Sequence, residues 1–348
     1  MQQNKVEEVK QMCKLSIIVP FYNSARFLKR CIESLEDQDI EKSCYEIIMV
    51  DDGSTDEGAS IVKHYQGVYP NIKLYSQPNS GQGAGRNLGL AHSRGEYISF
   101  VDSDDYVLPN KLSNILSLCD HLEQDILYCF ANVYDSIGKA KKSIEFHDFN
   151  EDVTYRGDNL LLSNIIVGSV WAKFYSRNFL LNNNLKFGVG FTHQDSDFMY
   201  RCLVKAKKVN FLNDIFYSYC WNEGSTIRTK DSAQLVHSLK SSLIVASNLV
   251  DMGKSQDLSE DLRSFLIKRK NSMVIGQLFF LLDNAHDYTT RDILDILKFA
   301  RKRHLFPIKG ESESKLSTIF SRVANIRAVF LLMFWINKWC HVKDLCQR

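Results

Sequence analysis

Three carboxylates within four positions, Asp102, Asp104 and Asp105, follow directly on the apolar run Tyr97-Ile98-Ser99-Phe100-Val101. Carboxylates this close repel one another, so at the end of a buried strand they call for a cation or for hydrogen-bond donors to offset them. A second acidic pair, Asp51-Asp52, closes the run Glu46-Ile47-Ile48-Met49-Val50 and leads into Gly53-Ser54-Thr55-Asp56. A carboxylate there can accept from the imide N–H of uracil or the N1 and N2 donors of guanine, or can close an Asx turn on its own backbone. Between the two acidic groups, Asn79-Ser80-Gly81-Gln82-Gly83-Ala84-Gly85-Arg86-Asn87 is a glycine-rich loop opening a helix, a geometry suited to phosphate with Arg86 as a bidentate partner. It is not a dinucleotide fingerprint, because Arg86 and Leu88 stand where a third glycine is needed. A bare Asp-x-Asp is also common in solvated turns. Position favours a ligand here, since open α/β sheets bind ligands just outside the carboxyl ends of their strands.

The elements that must hold these residues are legible in order. Leu15–Pro20, Glu46–Val50, Ile72–Tyr75 and Tyr97–Val101 are apolar runs of strand length, and each of the first three is followed by a helical pattern. Asn23 and Ser24 are capping candidates for the first helix, Ser54-Thr55-Asp56-Glu57 has the form of a capping box for the second, and Pro109 suits the first turn of a fourth helix running to about Leu122. Strands alternating with helices predict an α/β, doubly wound and mainly parallel sheet. The alternation weakens after Ile126–Tyr134. From Asp231 the apolar spacing is helical, with Leu235, Leu239, Leu243 and Val250 on one face.

At 348 residues, with 45% hydrophobic and 24% charged residues, the chain is expected to be a globular α/β domain with an appended part. Nine scattered cysteines without a C-x-x-C pair read as reduced thiols, and Met1–Lys14 carries no apolar run of a secretory signal, so a cytoplasmic protein is expected. The net charge of +2 hides an asymmetry: from Lys298 onward 11 Lys and Arg face only Glu311, Glu313 and Asp344. No basic region has the composition of a nucleic-acid reader, so no nucleic-acid partner is expected. Ala328–Ile336 is too short to span a bilayer. Phe330, Leu331, Phe334 and Trp335 fall on one helical face flanked by Arg322, Arg327, Lys338 and Lys343, which predicts either peripheral contact with anionic lipid or packing on protein.

Ile17-Ile18-Val19-Pro20-Phe21-Tyr22-Asn23, Val50-Asp51-Asp52-Gly53-Ser54-Thr55-Asp56, Gly85-Arg86-Asn87-Leu88-Gly89 and Phe100-Val101-Asp102-Ser103-Asp104-Asp105, in that order and spacing, resemble the family 2 glycosyltransferases of GT-A fold, of the bacterial cell-surface polysaccharide type. The resemblance covers about residues 15 to 225. It implies that Pro20, Tyr22 and Asp52 hold the base of a nucleotide-sugar, UDP-linked by preference. Asp102 would face the ribose and donor, and Asp104 would ligate a Mn²⁺ or Mg²⁺ that bridges the diphosphate. Asn23, Gly85, Arg86, Asn87 and Ser103 join the donor-binding set by the same likeness. Val170-Trp171-Ala172-Lys173-Phe174-Tyr175 and His193-Gln194-Asp195-Ser196-Asp197-Phe198 are similar to two further segments of that family, the second of which carries its catalytic base. That implies Asp195, with Asp197 as rival and Gln194 standing where Glu is usual. Trp171 also reads as an aromatic core residue.

The activity implied is an inverting transfer of one sugar to an acceptor hydroxyl on a growing surface glycan or lipid-linked oligosaccharide. The Gln-x-x-Arg-Trp motif of processive members is missing. Positive charge for the departing diphosphate would come from Arg86 or Arg228. A nucleotidyltransferase is the rival enzyme, but it would present a basic glycine-rich loop where Pro20-Phe21-Tyr22-Asn23 stands. A silent nucleotide-sugar binding protein is the rival without catalysis, and it would be expected to lack Asp104 or Asp195. The expected domains are a tail over 1–14, a GT-A domain over 15–230 with a nucleotide-sugar half (15–125) and an acceptor half (126–230), and a helical region over 231–348.

Overall fold

The computed structural model describes residues 13–135, 139–144, 149–164, 168–222 and 232–346. The chain divides into two compact units, Met1–Gly157 with Ser169–Val189 and Lys205–Glu223, and Asp158–Gly168 with Gly190–Val204 and Gly224–Arg348.

The first unit is built on β1 (Leu15–Phe21), α1 (Ala25–Glu36), β2 (Tyr45–Asp51), α2 (Gly58–Val68), β3 (Ile72–Ser76), α3 (Gln82–His92) and β4 (Tyr97–Phe100). Every residue of β1, β2 and β4 is buried, which is why these strands read as unbroken apolar runs. The four strands pair in parallel in the order β3-β2-β1-β4. The chain therefore winds outward from β1 through β2 to β3 and then returns to the other side of β1. The reversal between β1 and β4 is the place where open α/β sheets form a crevice at the strands' carboxyl ends. Helix α3 lies close against β1 because Gly89 carries no side chain, and a Cβ there would come within 2.4 Å of Ile18 Cγ2.

Beyond β4 follow β5 (Tyr106–Val107), α4 (Leu112–Leu122), β6 (Ile126–Tyr134), β7 (Ala140–Ile144), α5 (Gly157–Leu162), β8 (Lys173–Ser176), α6 (Arg177–Asn182), α7 (Gln194–Lys205) and β9 (Val209–Tyr219). The sheet continues through β8, β6, β9 and β5 and turns mixed: β8 is antiparallel to both β4 and β6, whereas β6 and β9 are parallel. The whole is a GT-A-like sheet whose parallel part is its first half.

Three local expectations are corrected. Helix α4 begins at Leu112 rather than at Pro109, because Asn110 takes a left-handed φ of 55° and the Lys111 N–H donates to Gln38 Oε1. The capping box over 54–57 does not form. Asp56 instead accepts from the Gly58 N–H at 2.9 Å and, through its other oxygen, from the Ala25 N–H at 2.8 Å. One carboxylate thus caps two helices, and Ser24, whose hydroxyl donates to Tyr22 O, caps neither with its side chain.

The second unit is helical, with α8 (Ser232–Gly253), α9 (Glu260–Asp283), α10 (Thr290–Lys302), α11 (Lys315–Ala324) and α12 (Arg327–Cys346). Leu239, Leu243, Leu278, Ile293, Leu297, Phe330 and Phe334 meet in its core. Helix α10 carries the Thr289/Asp292 capping box, and the Ser259 hydroxyl caps α9. Helix α7, assigned to the 15–230 domain on sequence grounds, groups with these helices. Asp197 binds Asn248 of α8, and Tyr200 takes the Arg269 guanidinium of α9 at 2.6 Å.

Candidate active site

Asp102 and Asp104 stand at the β1/β4 crevice because β4 ends at Phe100 and the chain turns at once. Asp105 is the peg that holds this turn. It is buried, its Oδ1 accepts the Cys220 N–H at 2.7 Å and its Oδ2 accepts the Tyr217 hydroxyl at 2.6 Å. The same Tyr217 oxygen accepts the Asp102 N–H at 3.1 Å, so one hydroxyl joins the first and last acids of the cluster. Trp171 lies flat on the Tyr217 ring, centroids 4.7 Å apart, and also stacks on Tyr219, which makes it an aromatic wall of this turn.

Asp102 Oδ1 accepts from Arg86 at 2.6 Å and from Gln82 Nε2 at 2.9 Å. Asp104 is treated differently. Its carboxylate takes the Asn222 amide at 3.2 Å, while the Arg30 guanidinium donates to its main-chain oxygen, not to its side chain. Burial, then the charge of Asp102, pushes the Asp104 carboxyl above the ordinary range. Burial with the charges of Asp102 and Asp104 raises Asp105 further. The cluster is thus an incompletely neutralised acid pair at a strand end. Among the described residues no three His, Cys, Asp or Glu side chains converge to cage a metal. Two carboxylates in a crevice still fit a divalent cation whose remaining ligands are water and substrate phosphate, the usual arrangement for Mg²⁺ with nucleotides.

The end of β2 is arranged otherwise. Asp51 Oδ1 accepts the Ser54 N–H at 2.8 Å, closing the Asx turn over Gly53, whose φ of +77° suits glycine. Asp52 is buried and accepts three donors, Gln77 Nε2 at 2.7 Å and the Ser80 and Gly81 N–H groups at 2.9 and 2.8 Å. Two amides of the glycine-rich loop therefore point at Asp52, and they do not form the phosphate cradle that the sequence suggested. Arg86 differs from expectation in the same way: it is 2% exposed, paired with Asp102 and stacked over the Phe187 ring, so it neutralises an acid rather than projecting toward a ligand. Asn87 exchanges two hydrogen bonds with the Phe187 backbone. Gly85 lets α3 approach Pro20, with 3.0 Å from a Cβ there to Pro20 Cβ.

Pro20 and Tyr22 flank the crevice at the end of β1, Pro20 buried and Tyr22 exposed. Asn23, at φ 47°, ties this segment to the next loop, its Oδ1 accepting the Thr55 N–H at 2.8 Å and its N–H donating to Ser54 Oγ. Ser103 donates to Ser24 Oγ at 3.1 Å. Pro20, Tyr22, Asn23, Asp52, Gly85, Arg86, Asn87, Asp102, Ser103 and Asp104 all belong to the first unit, and Asp195 to the second. Sequence reading missed Asp105's anchoring role, Tyr217, Gln82 and Asn222. The aromatic-rich end of β9 was the available signal for Tyr217.

Asp195 sits in the first turn of α7, partly exposed, with Oδ1 on the Ser196 N–H at 2.8 Å. Its rival Asp197 is 2% exposed and fully engaged, Oδ2 with Arg201 at 2.7 Å and Oδ1 with Asn248 at 2.7 Å. His193 precedes the helix at φ 61° with Nε2 on Ser238 Oγ at 3.1 Å, and burial lowers its pKa. Arg228 lies outside the described residues.

A sheet that is parallel from β3 to β4, turns antiparallel at β8 and carries an acidic turn at the β1/β4 reversal fits the GT-A class. The model of glycosyl transferase family 2 matches residues 16–182. The chain is 30% identical over 255 residues to the cholesterol galactosyltransferase of Borreliella burgdorferi, covering 70% of each, and 30% identical to the uncharacterized glycosyltransferase YibD of Escherichia coli, covering 62% of this chain and 63% of YibD. A crystal structure of Staphylococcus aureus TarS 1–349 with UDP-GlcNAc superposes at a TM-score of 0.65, with 21% identity over 95% of this chain and 92% of that one. The protein belongs to the family 2 glycosyltransferases. It spans somewhat under two thirds of YibD's length.

Proposed function

We propose that the protein moves one sugar from a nucleotide-diphosphate donor, UDP-linked, to a hydroxyl of a surface glycan or lipid-linked oligosaccharide in the cytoplasm, with inversion at the anomeric carbon. The acidic turn at the β1/β4 crevice carries this reading, because Asp105 alone of the cluster is consumed in pegging the turn while Asp104 takes the Asn222 amide at 3.2 Å. The likeness to TarS, whose structure holds UDP-GlcNAc, supports the donor class.

In this reading Pro20 and Tyr22 border the base and Asp102, held by Arg86 and Gln82, orients the ribose. Asp104 and Asp102 would hold Mn²⁺ or Mg²⁺, which when bound would neutralise phosphate charge. The acceptor oxygen attacks the anomeric carbon as the bond from that carbon to the phosphate oxygen breaks, and the electron pair leaves with the diphosphate. Asp195 takes the acceptor proton. The Arg201 and Asn248 contacts on both Asp197 oxygens support a structural role for that residue.

The test is a panel of UDP-, GDP- and dTDP-sugars incubated with the protein and Mn²⁺ or Mg²⁺, reading released nucleotide. Release from a UDP-sugar, abolished by EDTA and restored by metal, is expected. Release only from a GDP- or dTDP-sugar would overturn the donor assignment, and undiminished release in EDTA would overturn the metal.

A further inference from the structure

Phe330 and Phe334 are buried in the core of the second unit, and Lys338 reaches back to the Tyr288 carbonyl at 2.5 Å. This inward face cannot be the lipid-facing stripe that the sequence offered as one possibility. Helix α12 is apolar on its opposite side as well. Leu332, Trp335, Ile336 and Trp339 recur there at i, i+3, i+4 and i+7, with Trp335 50% and Trp339 60% exposed. Helix α11 repeats the pattern with Leu316, Ile319 and Val323, Leu316 being 79% exposed. Two neighbouring helices with outward apolar stripes exceed the scatter of single apolar residues found on any surface.

Charge decides between occupants. From Lys315 to Lys343 the chain carries five Lys and Arg and no Asp or Glu, and Lys315, Arg322 and Arg327 are exposed beside the stripes. A second copy docking on this face about a two-fold axis would bring the same cations together. An anionic bilayer surface meets both features, since lysine and arginine are drawn to its potential and tryptophan settles at headgroup depth. No single described helix is long and apolar enough to cross a membrane, and α11 and α12 are bent by 102° to one another, so the pair suits lying in the interface rather than crossing. We infer that the outward faces of α11 and α12 dock this protein on an anionic membrane surface through Leu316, Ile319, Leu332, Trp335, Ile336 and Trp339.

The experiment is flotation of the full chain with phosphatidylcholine vesicles, with and without phosphatidylglycerol. Recovery with the anionic vesicles, weakened by salt, is expected, together with a blue shift of tryptophan emission. Leu332→Ser with Trp335→Ser and Ile336→Ser should lower partition by about tenfold or more while leaving the melting temperature unchanged. Val68→Ser, an exposed apolar residue of α2, should leave partition as it was. Equal recovery of wild type and triple variant overturns the proposal. So does a concentration-dependent dimer that the triple variant abolishes. Trp335→Ser alone, read by the same flotation, keeps the outcome decisive if the triple variant fails to fold.

Discussion

Two strand ends in this protein carry clustered carboxylates, and the chain uses them in opposite ways. At the end of β2, Asp51 closes its own turn and Asp52 gathers three donors from the loop over 77–81. At the end of β4 only Asp105 is consumed in this manner, while Asp104 has a long contact to one amide and a neighbour of the same charge. The first arrangement stabilises the fold. The second leaves unfavourable charge at a crevice, a cost that a protein retains where a ligand relieves it. Acidic residues alone therefore say little about chemistry, and the distribution of donors around them says more.

The largest expected effect separates the two ends. Asp104→Asn should lower transfer by roughly 10²-fold or more, the scale of losing an electrostatic contact to the departing group, with the fold intact. Because burial and Asp102 hold the Asp104 carboxyl above its ordinary range, its ionised form is disfavoured in the folded state. The penalty is present at neutral pH and fades as pH falls through the carboxylate range, so the Asn variant should melt no lower than wild type near neutrality and lose any advantage in acid. Asp52→Asn should do the reverse. It puts an amide NH₂ against a donor in either orientation, the Gly81 N–H or the Ser80 N–H with Gln77 Nε2, and should destabilise by roughly 2–3 kcal/mol, whatever its effect on activity. Denaturant melts beside initial rates measure both, and an Asp104→Asn protein that is unstable yet active would reverse the roles of the two ends.

The second unit repeats the contrast over three residues. Asp195→Asn should lower kcat by roughly 10²-fold, the usual scale for a general base, without altering donor binding or melting. Asp197→Asn should cost about 1–3 kcal/mol of stability, less than a fully buried pair because Arg201 reaches solvent. If Asp197→Asn is instead the variant that keeps its melting temperature and loses turnover, the base is misplaced by two residues.

Much of this was legible in the chain. The continuous apolar runs of β1, β2 and β4 announced a parallel sheet buried on both faces, and clustered acids at their ends announced the crevice. Which acids stay available could not be read, because the donors that consume Asp52 and Asp105 arrive from 25 to 115 residues away. Asp56 was misread for the same reason, since the second helix it caps starts 31 residues earlier. Helix α12 defeated periodicity in another way. A helix apolar nearly all round has no preferred face in sequence, and only packing shows that Phe330 and Phe334 turn inward while Leu332 and Ile336 turn out.

The smallest expected effect concerns the hydroxyl that joins the acids at β4. Tyr217→Phe keeps the ring against Trp171 and removes only the oxygen that accepts from the Asp102 N–H and donates to Asp105. Asp105 then retains Cys220 as donor, while the Asp102 amide loses its acceptor. The stability cost should be about 1–2 kcal/mol. If the hydroxyl also positions the turn, kcat/KM should fall by roughly tenfold, the scale of a displaced catalytic contact, with the loss concentrated in donor KM if Asp102 has the donor-facing role proposed for it. Tyr175→Phe is the control, as it removes the hydroxyl bond from another buried tyrosine, to the Val170 carbonyl at 3.1 Å. It should match the loss of stability and leave kcat/KM unchanged. Equal kinetic losses in the two variants would reduce Tyr217 to a core residue, whereas a loss confined to Tyr217→Phe makes it the positioning residue of the acidic turn.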